Sequence, residues 1–168
     1  MNQATSALLS ELREEAVTTK CVLERVPTDE LSWRPHAKSM SLGQLALHVA
    51  SIPGNLAKLT QLDEFDASQA NFNPPQPQDL HEVHATFEQS VRSAEEYLRA
   101  MTEDFASANW RLTMRGKELF SKPRIAVLRS IMMNHWYHHR GQLSVYLRLL
   151  DVPVPVIYGR SADENPFG

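Results

Sequence analysis

Four stretches of this chain place apolar residues at alternating three- and four-residue intervals. That period matches one face of an α-helix and restricts the chain to folds in which each helix hides one stripe. The first stretch runs from about Ser6 to Val26, with Leu8, Leu12, Ala16, Thr19, Leu23 and Val26 in line, and Pro27 ends it. Thr28 to Leu31 can add a single turn before Trp33-Arg34-Pro35. The second starts at Ser41, which has capping-box spacing to Gln44, and Met40 can staple to Leu45. Its stripe is Leu42, Leu45, Val49, Ile52, Leu56 and Leu59, interrupted by Pro53-Gly54. Pro53 has no amide hydrogen to offer the carbonyl of Val49, so a kink or local break is expected there.

Residues 63–78 are rich in Asn, Gln and Pro and read as a connection. The third helix starts at Asp79, with Glu82 as capping partner, and buries Leu80, Val83, Phe87, Val91, Ala94 and Leu98. Between Thr102 and Ser121, Trp110, Leu112 and Met114 alternate, and Arg115-Gly116-Lys117 can turn the chain. A short hairpin or extended excursion fits that segment. The fourth helix starts near Ser121 to Pro123 and carries Ile125, Leu128, Ile131, Met132, Leu143, Tyr146, Leu149 and Leu150. Pro153 and Pro155 end it. Four such helices predict an all-α four-helix bundle, a single domain over residues 1–168, with the extended excursion between the third and fourth helices.

The chemistry sits on the last helix, in Asn134-His135-Trp136-Tyr137-His138-His139-Arg140-Gly141-Gln142. His135 and His139 are four residues apart, so their imidazoles stack on one face. At about 100° per residue, both fall within about 20° of the line through Leu128 and Tyr146, the expected centre of the buried face. His138 falls about 80° away, at its boundary. On the second helix His48 lies about 60° from the centre of its stripe, and His84 is placed similarly on the third. His81 points further out, and His36 lies in a loop.

Two readings compete. A histidine on an apolar face is commonly a core residue with one hydrogen bond. Burying two rings without partners, however, costs several kcal/mol, and a metal ion satisfies both together. Neutral imidazoles suit zinc or nickel, and three protein ligands leave a coordination position for water or substrate. A di-iron centre requires Glu-x-x-His motifs, and there are none. His81-Glu82-Val83-His84 is one residue short of the zincin motif. Around the pair, Gln142 can orient His139, and His138, not expected to be a ligand, is a further candidate for supporting the ligands or meeting substrate. Tyr146 packs in the core or donates to substrate, Arg140 and Arg148 are solvated or at a subunit interface, and Cys21 is a bystander.

Composition narrows the function classes. The chain has 168 residues, 42% hydrophobic and 22% charged, with a net charge of -3. That is ordinary globular composition, with no basic footprint for nucleic acid. The N-terminal residues lack the pattern of a secretory signal, no apolar run is long enough to span a membrane, and one cysteine forms no internal disulfide. The cytoplasm is the expected compartment.

Several motifs recur together. Leu31-Ser32-Trp33-Arg34-Pro35 follows the first helix, and Ser41-Leu42-Gly43-Gln44-Leu45 leads to His48. His135-x3-His139-Arg140-Gly141-Gln142-Leu143 is followed by Tyr146-Leu147-Arg148 and a Pro-rich tail from Val152-Pro153 to Glu164. In order and spacing the chain resembles the DinB/YfiT-like superfamily of metal-dependent bundle proteins over nearly its whole length. The resemblance implies a four-helix bundle with one divalent ion held by His48, His135 and His139. Relatives include thiol-dependent S-transferases and a mycothiol-dependent isomerase. The family takes its name from a DNA-damage-inducible gene, which implies no DNA binding here. Pro53-Gly54 is outside the family pattern.

The expected function is therefore activation of a low-molecular-weight thiol or water for reaction with a small electrophile. The competing classes are a non-catalytic, metal- or ligand-binding stress protein and a bundle whose histidines support a homodimer interface.

Overall fold

The structure, a computed structural model, describes residues 3–71 and 73–167. Met1 and Asn2, part of the N-terminal stretch without a secretory pattern, lie outside them, as do Phe72 of the 63–78 connection and Gly168. Helix α1 spans Gln3–Leu23, α2 Leu42–Leu59 and α3 Leu80–Ala100. A short α4, Glu103–Ser107, follows. The fourth long segment is composite: α5 covers Arg124–Val127, a π-helical stretch covers Leu128–Met133, and α6 covers Asn134–Leu149. Helix α2 packs on α3 and α6, and α1 packs on the same two. No helix among the described residues is long and apolar enough to cross a membrane.

Local signals set most of these boundaries. Ser41 accepts from the Gln44 amide while the Gln44 side chain accepts from the Ser41 amide, a complete capping box. A 3-10 turn at Thr28–Glu30 occupies the link after α1. At α3, Asp79 caps the Glu82 amide, but the Glu82 carboxylate returns to the amide of Gln78, one residue before the cap. Leu8, Leu12, Leu23, Leu42, Leu45, Val49, Ile52, Val83, Phe87, Ala94 and Leu98 all enter one core cluster.

The all-α expectation needs correction. The chain is mostly helical but carries a three-stranded sheet in the order β1-β2-β3: Glu64–Asp66, Asn109–Met114 and Lys117–Pro123. Strands β2 and β3 form the hairpin expected at Arg115-Gly116, both of which adopt positive φ, 50° and 79°. Strand β1 pairs parallel to β2, Glu64 facing Arg111. Three residues carry no readable alternation, so β1 depends on a partner distant in sequence and was hidden in the connection.

Helix α2 does not break at Pro53; helical structure runs without a gap from Leu42 to Leu59. The proline is buried. Its missing donor is replaced across the core, because Trp136 Nε1 donates to the Val49 carbonyl at 2.9 Å. Gly54 has its own reason. A Cβ there would meet Ser90 Cα at 2.9 Å, and its amide donates to Ser90 Oγ at 2.8 Å. Pro53-Gly54 thus lets α3 approach α2 closely on one side while α6 engages it on the other.

The π-helical stretch corrects the helical phase. A π turn takes more residues than an α turn, so a projection at 100° per residue fails across it. In α6 the buried line is Trp136, Arg140, Leu143 and Leu147. His135 and His139 are half-buried on its flank, about 110° and 70° from its centre, rather than at the middle of the face. Leu149, expected inside, is 57% exposed. Arg140, expected in solvent or at a subunit interface, is 1% exposed. It pairs with Glu15 at 2.6 Å, donates to Thr19 Oγ1 at 3.0 Å and meets the Tyr158 hydroxyl from the tail. A buried guanidinium with those partners ties α6 to α1 and the C-terminal segment.

Candidate metal centre

His48 comes from the first half of α2, and His135 and His139 from successive turns of α6. Their side chains converge where the two helices face each other. His48 Nε2 and His135 Nε2 are 2.9 Å apart. The ring centroids of His139 lie 4.5 Å from both His48 and His135. One ring nitrogen from each residue can be chosen so that all three lie within 4.8 Å of one another. No cysteine or carboxylate joins this group among the described residues.

The electrostatics favour neutral rings. Burial, reinforced by the neighbouring imidazoles, pushes His48 and His135 down to about 4. Burial also lowers His139, against an opposing contribution from Gln142. Neutral imidazoles are the form that donates a lone pair to a metal. His139 Nδ1 lies 2.7 Å from Gln142 Oε1. An amide oxygen only accepts, so Nδ1 carries the proton and Nε2 keeps its lone pair for the cluster.

The donor set fits a divalent ion. Nitrogens about 2.0–2.1 Å from such an ion sit about 3.0–3.4 Å from each other, close to the 2.9 Å between His48 Nε2 and His135 Nε2. Without an ion, the two Nε2 atoms of His48 and His135 can face each other only if one is protonated. Three imidazoles would leave a coordination position open, since no fourth His, Cys, Asp or Glu joins the group among the described residues.

The surroundings hold the ligands in place. The Trp136–Val49 hydrogen bond joins the residue after His135 to the residue after His48. At the head of α2, Ser41 Oγ donates to Gln76 Oε1 at 2.5 Å, and Gln44 Nε2 donates to the Pro74 carbonyl at 2.9 Å. Gln76 Nε2 in turn donates to the Leu31 carbonyl at 3.0 Å. These bonds lay the 73–78 segment beside His48, where Pro74, Pro75 and Leu47 share a cavity with it.

The remaining candidates are not in the cluster. His138 is exposed, its ring centroid 4.9 Å from that of His139, consistent with its place beyond the buried face. His84, His81 and His36 are not brought to the site. Tyr146 donates to the Met40 carbonyl at 3.3 Å and packs edge-on against Trp33, so its hydroxyl is engaged away from the histidines. Cys21 is exposed on α1. Sequence reasoning missed Trp136 and Gln76. A tryptophan beside a proposed ligand, and a proline with an orphaned carbonyl on the facing helix, were the available signals for the first. Gln76 had none, because its contacts are all long-range.

Comparisons with known proteins concern the family and the fold. The chain is 24% identical to the uncharacterized protein YrdA of Bacillus subtilis (strain 168) over 164 residues, 98% of this chain and 93% of that protein. Its fold is similar to the crystal structure of a DinB-like protein from Bacillus cereus ATCC 10987, with a TM-score of 0.70 and 22% identity, covering 91% of this chain and 97% of that one. A DinB-like protein, YjoA, from Bacillus subtilis matches with a TM-score of 0.67 and 21% identity, over 95% and 100% of the two chains. The model of the DinB family matches residues 1–165, and on that whole-chain match this protein belongs to the DinB family.

Proposed function

We propose that this chain is a four-helix-bundle metalloenzyme that activates a low-molecular-weight thiol, or water, for reaction with a small electrophile, in the manner of an S-transferase. The observation that carries the reading is the convergence of His48, His135 and His139 from two facing helices, with no fourth His, Cys, Asp or Glu in the group among the described residues. Bound there, zinc or nickel would acidify a thiol or water that joins it. Neutral histidines add no negative charge, so they leave that acidifying power undiminished. Gln142 fixes the tautomer of His139, and Trp136 fixes the spacing of α2 and α6 beside the ligands. No serine or cysteine nucleophile from the chain is needed, in keeping with the exposed position of Cys21 on another helix.

The test is metal analysis of protein purified without an affinity tag, beside His135→Ala, followed by assays against model electrophiles with bacillithiol, mycothiol, glutathione and cysteine. The expected result is one divalent ion per chain, lost in the variant, and turnover that disappears with the metal. Metal binding without turnover would move the reading to a metal-binding stress protein. Turnover unchanged after metal removal would overturn the proposal.

A further inference from the structure

We propose that Glu15 is a positioning residue for the metal centre: by neutralising the buried guanidinium of Arg140, it holds α6 in the register that aims His135 and His139 at His48. The inference rests on the metal-site reading above and adds the residue that sets the aim of two of its ligands.

The buried residues of the last helical segment include Leu128, Met132, Met133, Trp136, Arg140, Leu143 and Leu147, none more than 1% exposed. Counted from Leu128, they come 4, 5, 8, 12, 15 and 19 residues on. An α-helix returns to one face after about 3, 4, 7, 11, 14 and 18 residues. Every observed interval is one residue too long, and the π-helical stretch at Leu128–Met133 takes up the extra residue. Wound as α-helix throughout, the same sequence would move each residue of α6 to the place its successor now holds. His139 would then enter the core in place of Arg140. His138 would stand where His139 stands, and Asn134 where His135 stands. The ligand pair exists at this place only in the π-shifted register.

The two registers differ in what they bury. The observed one hides Trp136, Leu143 and Leu147, whereas the alternative hides His135, Gln142 and Tyr146, so apolar burial favours the observed one. Against it stands Arg140, a charge that is tolerated in the core only when paired. Glu15 supplies the pairing. Its carboxylate lies 2.6 Å from the guanidinium, with 15% of its side chain exposed, and its carbonyl accepts from the same nitrogen at 3.2 Å. The Tyr158 hydroxyl donates to the carboxylate at 3.0 Å. One turn earlier on α1, Glu11 accepts from the Tyr137 hydroxyl at 2.7 Å and pairs with Arg129 of the π stretch at 3.1 Å. Arg129 also donates to Asn134 Oδ1 at 3.0 Å, five residues on. Upstream, the buried Arg124 is fixed to the Thr60 carbonyl at 3.1 Å and to Asp63 at 2.5 Å. The π stretch therefore lies between two buried arginines, and Glu15 holds the one beside the ligands.

The experiment uses the full chain carrying Cys21→Ser and one reporter cysteine at a time. Leu147→Cys is at a buried position and Gln142→Cys at an exposed one. In metal-free protein, Glu15→Gln should speed alkylation of Leu147→Cys about tenfold and slow that of Gln142→Cys about tenfold, because the shift exposes one position and buries the other. A fold that merely loosened would label faster at both. Without the reporters, Glu15→Gln should weaken cobalt binding about tenfold. Arg140→Met/Glu15→Gln removes the charge that needs a partner, so it should restore both alkylation rates and cobalt affinity. If Glu15→Gln alone does not fold, this double variant must fold and bind cobalt as the parent does. Deleting Ser130, an exposed residue of the π stretch, leaves α-helical spacing with the same buried face. That protein should keep cobalt binding and the parent's alkylation pattern. Faster labelling at both positions in Glu15→Gln, no change at either, or failure of the double variant to recover would overturn the role of Glu15. A reversed alkylation pattern after deletion of Ser130 would overturn the register itself. If the parent binds no cobalt, the metal-site reading fails, and the alkylation rates alone decide whether Glu15 sets the register.

Discussion

Trp136 donates its indole N–H to the carbonyl of Val49, the carbonyl that Pro53 deprives of its helical donor. The two halves of this arrangement lie on different helices, each one residue from a histidine of the cluster. A defect in α2 thereby becomes the point at which α6 is registered against it. Both Trp136 and Val49 are fully buried, so the bond is shielded from water. The proline needs no break in the helix to be tolerated, because its orphaned acceptor has a partner.

The ligand set divides the histidines sharply. His48→Ala, His135→Ala or His139→Gln should each cost most of the bound metal, measured as ion per chain. His138→Gln should leave it intact, since His138 is exposed and outside the cluster. Loss of metal in His138→Gln equal to that in His139→Gln would overturn the assignment.

Gln142→Leu removes the acceptor on His139 Nδ1. Gln142 is exposed, so the fold should survive. Metal affinity should drop by about 10–100-fold, as is usual when the partner that orients a ligand is lost. Competitive titration with a chelator measures it, and an unchanged affinity would mean that His139 is held by packing alone.

Metal-free protein should lose stability in mild acid. The folded chain holds His48 and His135 at about 4, while unfolded imidazoles titrate near their model value of 6.5. Above that value both states carry neutral rings, and the pair adds no pH dependence. As pH falls from 6.5 toward 4, the unfolded chain takes up protons that the folded chain refuses, so stability declines across that window. Thermal unfolding should show a falling Tm from pH 7 to 5, and His48→Phe/His135→Phe should flatten the slope. An equally steep slope in that variant would place the acid sensitivity elsewhere.

Much of this was legible in the sequence because it was local. The Ser41–Gln44 cap, the hairpin turn at Arg115-Gly116 and the α2 stripe all depend on residues within one or two turns. The three histidines were legible by spacing and by family pattern together. Their depth was not. The π-helical stretch at Leu128–Met133 displaced the phase, so the projection put His135 and His139 at the centre of the buried face and Arg140 outside it. Nothing in Leu128-Arg129-Ser130-Ile131-Met132-Met133 announces a π turn. Strand β1 and the Gln76 contacts were hidden for the other reason: their partners lie far along the chain.

Gly54→Ala tests the close packing of α2 and α3. The new Cβ would sit 2.9 Å from Ser90 Cα and 3.2 Å from the Ser90 carbonyl oxygen, both backbone atoms that cannot swing away. Overpacking of this kind costs about 1–3 kcal/mol. Ala favours a helix interior over Gly by about 1 kcal/mol, so a net loss in urea denaturation requires the clash to win. A more stable Gly54→Ala protein would show that the helices can separate freely there.

The Trp136–Val49 bond is best tested as a cycle with Pro53. Trp136→Phe keeps most of the ring volume and removes the donor, leaving the Val49 carbonyl buried and deprived of both partners. The expected loss is about 1–3 kcal/mol of unfolding free energy. Pro53→Ala supplies an amide that can serve Val49 within the helix. In that background Trp136→Phe should cost less, by about 1 kcal/mol, because the acceptor is no longer stranded. The same variants carry a second readout. If the bond registers α2 against α6, Trp136→Phe should also weaken metal binding, although the indole touches no ligand nitrogen. An identical cost for Trp136→Phe in both backgrounds would show that Pro53 and Trp136 act independently. The coincidence of an orphaned carbonyl and an indole donor beside the two helices' histidines would then have no energetic content.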